Sequence, residues 1–184
     1  MEATDILIEE HRIIERVLSA LEIQARRAQA GADVRIGFYK EVSAFFRHFT
    51  DGCHHRKEEE PFLMAMTDAG LSNQTGPMSI MLAEHELCRA YNREMEKAIR
   101  ALERGEAAAR NDLIHNALEY AGFARRHIRR EDEFLFPMAA RLIPVPLQQK
   151  LLADIRRFER DETGTGADQK YFHLADTIEK EAAE

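Results

Sequence analysis

One short pattern of histidine and glutamate occurs twice in this chain. Each copy has a Glu-His pair, followed much later by a histidine with a glutamate four positions beyond it: Glu10-His11 with His54 and Glu58, and Glu84-His85 with His127 and Glu131. The two histidines lie 43 residues apart in the first copy and 42 in the second. A single HxxxE arises easily by chance, whereas two matched units at matched intervals do not. The doubling therefore predicts one helix-helix unit with metal-type ligands, present twice.

The size and charge of the chain restrict its architecture and its partners. A length of 184 residues suffices for one domain with a sizeable core. A net charge of -7 gives no basic surface for nucleic acid or anionic membrane. No apolar run approaches the ~18 residues of a membrane span, no leader pattern precedes the first helix, and Cys53 and Cys88 lack CxxC spacing. We expect a cytoplasmic protein that binds neither nucleic acid nor membrane; its protein partner is unknown.

Apolar residues recur at helical spacing through most of the chain. Four long helices are predicted, bounded by capping residues, glycines or prolines: Thr4-Asp5 to about Gln29, Asp33 to Gly70, Gly76-Pro77 to Gly105, and about Glu106 to Ala140. Their apolar stripes contain phenylalanines that we expect in the core: Phe45, Phe46, Phe49, Phe62, Phe123, Phe134 and Phe136. No alternating pattern indicates a strand, so the predicted fold class is all-α.

Short turns between long helices favour antiparallel packing of neighbours. The sequence therefore predicts an up-down-up-down four-helix bundle over residues 1–142. A C-terminal helical extension, residues 143–184, should add two helices, separated at Gly164-Thr165-Gly166 and packed on the bundle.

The second helix contains an irregularity. Its apolar stripe before Asp51 and its stripe after His54 are out of phase at the α-helical rotation per residue. A single wide turn would restore the phase, and such π-bulges often re-aim residues at functional sites. We therefore predict a π-bulge near Thr50-Asp51-Gly52.

The repeated His and Glu suit a metal site. Two side chains four residues apart on a helix can reach the same point beside its axis. Neutral imidazoles and carboxylates are the ligands of Fe, Mn or Zn, and a carboxylate can bridge two ions. Burying so many titratable groups without a metal would cost several kcal/mol for each unpaired charge. A bound pair of ions removes that cost.

At these residues the chain resembles the hemerythrin-like, or HHE cation-binding, family. The resemblance covers about residues 4 to 142 and rests on four motifs: Glu10-His11, CHHRKEE at residues 53–59, Glu84-His85, and HIRREDEFLFP at residues 127–137. It implies a non-haem di-iron centre with an oxo, hydroxo or water bridge; Zn or Mn are possible substitutes for iron. The implied terminal ligands are His11, His54, His85 and His127, and the implied bridging carboxylates are Glu58 and Glu131.

The chain departs from the oxygen-carrying hemerythrins at one ligand. Those proteins use five histidines, two of them one turn apart on the third helix, whereas here Met81 and Arg89 stand four positions from His85. We predict His55 as the replacement. Glu59, another carboxylate, water or an empty position are the alternatives.

The final carboxylate offers a choice as well. The oxygen carriers place it five residues after its histidine, which here is Asp132. We choose Glu131 instead, because it repeats the spacing of the first unit, and we expect Asp132 to be solvated or to contact a ligand from outside.

The resemblance implies a protein that binds or senses O2 or a related small ligand such as NO or peroxide. It favours a metal- and oxygen-binding protein over an enzyme. The alternatives are a di-iron enzyme acting on peroxide or Fe(II), and an iron store or metal-binding scaffold.

Overall fold

A computed structural model describes residues 2–163 and 167–184, and these residues form helices and connecting turns without a strand. The predicted all-α class is therefore confirmed. The predicted break at residues 164–166 lies outside the described residues. Within the described part of the chain, every helix is too short or too polar to cross a lipid bilayer.

The described residues form eight α-helices and four π-helical segments. The α-helices are α1 (Ala3–Gln29), α2 (Ile36–Phe45), α3 (Leu63–Asp68), α4 (Pro77–Glu103), α5 (Ala109–Arg130), α6 (Phe136–Leu142), α7 (Val145–Phe158) and α8 (Ala167–Ala183). The π-helical segments are Phe46–His55, Glu58–Phe62, Glu131–Leu135 and Glu159–Thr163. The chain is helical without a break over 36–68 and again over 109–142, so these two stretches are the predicted second and fourth helices.

Most helix ends lie close to the predicted ones. Pro77 begins α4, where its missing N–H costs no hydrogen bond. Gly31 and Gly105 follow α1 and α4 with φ of 107° and 83°, a region that glycine adopts without strain. The N-terminal caps differ from the prediction: α1 begins at Ala3, with the Glu2 amide donating to Asp5 at 2.7 Å, and α2 begins only at Ile36.

The predicted π-bulge is confirmed and is longer than expected, because it occupies all ten residues of Phe46–His55. A Cβ at Gly52 would lie 3.2 Å from the carbonyl oxygen of Arg47, a tighter approach than side chains normally make. Glycine at this position therefore lets the wide turn close. The π segments Glu58–Phe62 and Glu131–Leu135, each beginning at the glutamate of an HxxxE motif, were not predicted.

Two apolar clusters form the core, and the histidines lie between them. Along α1, Leu7 belongs to one cluster and Ile14 to the other, with His11 between; along α4, His85 lies in the same way between Met81 and Cys88. The metal-type ligands thus form a polar layer within an apolar interior.

The main helix contacts join α4 to α5, α1 to α5 and α8, and α2 to α4. Helix α7 packs on α1, on α3 and on the π segment Glu58–Phe62. The up-down-up-down order and the division at residue 142 stay predictions. The expected burial of Phe134 is wrong: its side chain is 67% exposed.

Candidate metal centre

The structure brings all seven predicted site residues together in two overlapping groups. In each group, one candidate ligand atom per residue lies within 4.8 Å of the others: His55, Glu58, His85 and His127 in the first group, and His11, His54, Glu58 and Glu131 in the second. All seven residues are buried. Glu58 belongs to both groups, which places it between two candidate ion positions.

The π-helical segment explains how neighbouring histidines serve different groups. His54 and His55 are its last two residues. In a regular α-helix, consecutive side chains point in widely different directions, whereas the wider π turn reduces the rotation between them. His55 stacks face to face on His85 with ring centroids 3.8 Å apart, and His54 meets His11 edge to face at 4.6 Å. Each histidine therefore faces its own group.

The Glu58 carboxylate presents one oxygen to each group. Its Oε1 lies 3.5 Å from His54 Nε2 and its Oε2 lies 3.3 Å from His85 Nε2. This divergence of the two oxygens is what a bridging carboxylate requires.

Glu131 also reaches histidines of both groups. Its Oε2 lies 3.2 Å from His127 Nε2 and 3.3 Å from His11 Nε2, and its Oε1 lies 3.7 Å from His85 Nε2. Two carboxylates thus stand between two sets of imidazoles, as a two-ion site needs.

The polar atoms that face the centre have no hydrogen-bond partners. Seven such buried side-chain atoms are without one: His11 Nε2, His85 Nε2, His127 Nε2, and both carboxylate oxygens of Glu58 and Glu131. His55 Nδ1 also has no hydrogen bond, but it lies toward Asp51, 3.5 Å from Oδ1. Leaving a buried donor or acceptor unpaired costs about 1–3 kcal/mol, and more when the group is charged. Cations at the centre would satisfy these atoms, so the donor set and its burial fit metal ions.

The opposite nitrogen of four histidines is held by a carboxylate. Each Nδ1 donates to a carboxylate at 2.7–3.0 Å, and the four pairs are His11 with Asp132, His54 with Glu10, His85 with Glu59, and His127 with Glu84. The chain has four long helical stretches, and the carboxylate comes from the stretch before the one that carries the histidine. For the histidine of the first stretch, His11, the carboxylate comes from the last stretch. Such bonds fix the ring orientation and direct Nε2 toward a metal.

Each of these four carboxylates is in turn paired with a cation. The pairs are Asp132 with Arg12, Glu10 with Lys57, Glu59 with Arg89, and Glu84 with Arg130. Against the effect of burial, the histidine and the cation lower the pKa of Asp132, Glu59 and Glu84, whereas burial raises that of Glu10 despite Lys57.

Sequence reasoning assigned no role to Glu10 or Glu84, although both belong to the repeated pattern as the residue before each histidine. Glu59 was considered as a direct ligand; it lies instead behind His85, with Oε1 2.7 Å from Nδ1. Asp132 contacts His11 from outside the two groups, as expected.

The charges of the site are distributed unevenly. Burial alone would lower the pKa of His11, but the bond to Asp132 and the nearby Glu131 raise it to about 10. Burial likewise opposes protonation of His85, yet Glu131, Glu58 and Glu59 raise its pKa well above the usual value. Burial keeps the pKa of His54 at about 3, and burial together with His85 lowers that of His55. These shifts favour protonation of His11 and His85 when no metal is bound.

Metal binding should release these protons. Because a metal ion binds neutral imidazole, we expect about two protons to leave per protein at neutral pH. The sign follows from the raised pKa values: His11 and His85 are protonated below them, so metal affinity should rise with pH toward about 10, where His11 titrates. Calorimetric titration in buffers of different ionisation enthalpy measures the number. Asp132→Asn should reduce it by nearly one, and an unchanged number in this variant would contradict the assignment to His11.

A largely apolar groove lies beside the centre. The groove encloses roughly 240 Å³. Its apolar lining includes Ile80, Met81, Phe134 and Met138, and Glu84, Arg130 and Glu131 line it as well. Ile80 and Phe134 are more than half exposed, so they form its mouth. The groove thus places apolar surface next to Glu131, one of the two carboxylates between the sets of imidazoles.

Comparisons with known proteins agree with this geometry. Residues 2–139 match the family described as the hemerythrin HHE cation binding domain. Uncharacterized proteins of Mycobacterium bovis and Mycobacterium tuberculosis are 25% identical to this chain over 135 residues. The match covers 73% of this chain and 52% of each relative, so the chain spans about half the length of the curated relatives it matches. No solved structure matches the chain.

Proposed function

Because the chain belongs to the hemerythrin family of HHE cation-binding domains, we propose that it binds two iron ions in its buried centre and uses them to bind or sense a small diatomic ligand, O2 or NO. The observation that carries the proposal is the convergence of unpartnered buried imidazole and carboxylate atoms on two adjacent points. The predicted up-down-up-down bundle of residues 1–142 is the proposed scaffold of this centre, with residues 143–184 packed on it.

The residues that would hold the ions follow from the two groups. His55, His85 and His127 would bind one ion, and His11 and His54 the other, while Glu58 and Glu131 would bridge them. The second ion therefore has one protein ligand fewer. Iron at such a position would supply a redox-active cation with room for a small ligand.

The groove supports a small apolar ligand. O2 and NO are nearly non-polar and partition into apolar cavities, whereas water gains little there because it finds few hydrogen-bond partners. The groove borders Glu131, which would bridge the two ions. Phe136 stacks on His11 with ring centroids 5.6 Å apart, which adds apolar surface beside the group of His11 and His54.

A second cavity favours peroxide as an alternative ligand and an enzyme as the alternative function. It encloses roughly 160 Å³ beside His55, and its polar walls include Asp51, Arg89 and Tyr120. These groups can form hydrogen bonds with a peroxide. Cys88 lies there too, but burial raises the pKa of its thiol, so it stays protonated and a poor nucleophile.

The test starts from protein loaded with Fe(II) without oxygen. Metal analysis should give two irons per chain, and admission of air or NO should change the visible absorption spectrum. His54→Ala and His127→Ala, one from each group, should each lose one ion and the spectral change. His115→Ala, an exposed histidine of α5, is the matched control and should behave as the wild type.

The same samples separate the alternatives. Two bound irons without any spectral change would contradict ligand binding and favour an iron store or scaffold. Steady consumption of peroxide far above that of free iron would favour the enzyme. A wild-type chain that binds no divalent metal would contradict the metal centre itself.

A further inference from the structure

The two copies of the repeat differ in how their outer cations are covered. Lys57 and Arg130 occupy equivalent positions, each directly before the bridging glutamate of its copy. Each pairs with the carboxylate behind a histidine, Glu10 for Lys57 and Glu84 for Arg130. The Arg130 side chain is 43% exposed, whereas that of Lys57 is 1% exposed. Another part of the chain therefore covers Lys57 in the first copy, whereas Arg130 in the second copy stays accessible to solvent.

The cover comes from the C-terminal part of the chain. Lys57 Nζ donates to Glu159 Oε1 at 2.8 Å, and Glu159 directly follows the last residue of α7. Helix α7 packs against α1 and against the π segment that begins at Glu58, and Arg56 lies over the Phe158 ring at 4.9 Å. Glu159 lies beyond the residues that match the family, which end at 139. This contact thus joins the part that matches the family to a segment outside that match.

A continuous series of polar contacts links this addition to a candidate ligand. Glu159 holds Lys57, Lys57 binds Glu10, and Glu10 accepts the Nδ1 proton of His54 at 3.0 Å. The middle groups are buried, so each depends on its neighbours for charge compensation. Because the carboxylate behind a ligating histidine sets the orientation and basicity of the ring, the position of Lys57 affects His54 through Glu10.

We propose that Glu159 and Lys57 are positioning residues for His54, so that docking of α7 and ion binding by the group of His11 and His54 strengthen each other. The proposal rests on the proposed metal site. By linkage, a coupling of this kind must act in both directions: loss of the Glu159 contact weakens ion binding, and ion binding stabilises the docked helix.

The experiment compares Glu159→Gln with Glu179→Gln, using zinc alone as the probe. Glu179 is the matched control, because it joins the C-terminal part to α1 through an ion pair with Arg16, which is not part of the series of contacts to His54. Both glutamates are partly exposed in their ion pairs, so both variants should fold. Native mass spectrometry counts the ions, competition with a chelator gives their affinities, and hydrogen exchange reports the protection of residues 145–158.

We expect Glu159→Gln to lower the affinity for one of the two zinc ions by roughly five- to tenfold. Glu179→Gln should leave both zinc affinities unchanged. Zinc should slow amide exchange in α7 of the wild type and of Glu179→Gln, and much less in Glu159→Gln. A purely structural role of Glu159 would not single out one ion. In a His54→Ala background, Glu159→Gln should cause no further loss of zinc affinity.

Equal zinc affinity and equal protection of α7 in the two variants, with two ions bound, would overturn the coupling and leave the metal site intact. An additional loss of affinity in the His54→Ala background would overturn the path through His54. A wild-type chain without bound zinc would overturn the site and the coupling together.

Discussion

Glu58→Gln should abolish binding of the ion pair. Glu58 is the residue common to both candidate groups, with one oxygen directed to each. Glutamine has nearly the same shape but offers a single neutral oxygen, so it cannot bridge two cations. Removal of a residue that only hydrogen-bonds to a metal ligand lowers the metal affinity about 10- to 100-fold. Loss of a ligand shared by both ions should lower the affinity further. Metal analysis should find at most one ion per chain instead of two.

Stability provides a second measurement of the same variant. A metal ion whose free concentration is about a thousand times its dissociation constant stabilises the fold by about 4 kcal/mol. For a chain of this size, that raises the melting temperature by roughly 10 °C. The wild type should show this shift on metal addition, and Glu58→Gln should not. Glu60→Gln is the matched control, because Glu60 lies two residues away, is half exposed, and pairs with Arg56. Two tightly bound ions in Glu58→Gln would contradict the bridging role.

Lys57→Met should destabilise the metal-free protein strongly. Lys57 is buried, and its ammonium group compensates the buried carboxylate of Glu10. Removing one partner of a buried ion pair leaves the other charge uncompensated, which costs about 3–5 kcal/mol. Denaturant unfolding of chelator-treated protein measures the free energy of unfolding.

Two further variants test the reason for this loss. Arg130→Met removes the equivalent cation of the second copy, but at an exposed position, so it should cost less than about 1 kcal/mol. Lys57→Met combined with Glu10→Gln removes the uncompensated charge and should recover most of the lost stability. Equal losses for Lys57→Met and Arg130→Met would show that burial does not govern the effect.

Sequence reasoning identified the helices because their apolar spacing and their Gly and Pro boundaries are local signals. Each helix that contributes to the centre begins and ends within a few residues of its prediction. The repeat located six of the candidate ligands, the resemblance added His55, and the structure brings all seven together. The same repeat also contained Glu10 and Glu84, and the rule that a ligating imidazole needs a partner on its other nitrogen would have assigned them.

Other features depend on contacts between distant segments and left no local signal. The burial of Lys57 requires Glu159, about a hundred residues later in the chain, and nothing near Lys57 indicates that partner. Phe134 fits an apolar stripe at the α-helical period, but it lies in the π segment Glu131–Leu135, where the wide turn moves side chains off that stripe. The π-bulge near Thr50-Asp51-Gly52 could be predicted only because apolar stripes lie before and after it in the sequence, so that their difference in phase is measurable.

The π-helical segments make the centre more sensitive to the length of the chain than to its composition. A substitution on the outer face of residues 46–53 leaves the directions of His54 and His55 unchanged. Deletion of one residue there would rotate the following residues about the helix axis by one residue's turn and shift them along the axis by one residue's rise. In relatives of this chain, insertions and deletions should therefore gather in the turns near Gly31, Gly70 and Gly105, and this stretch should keep a fixed number of residues.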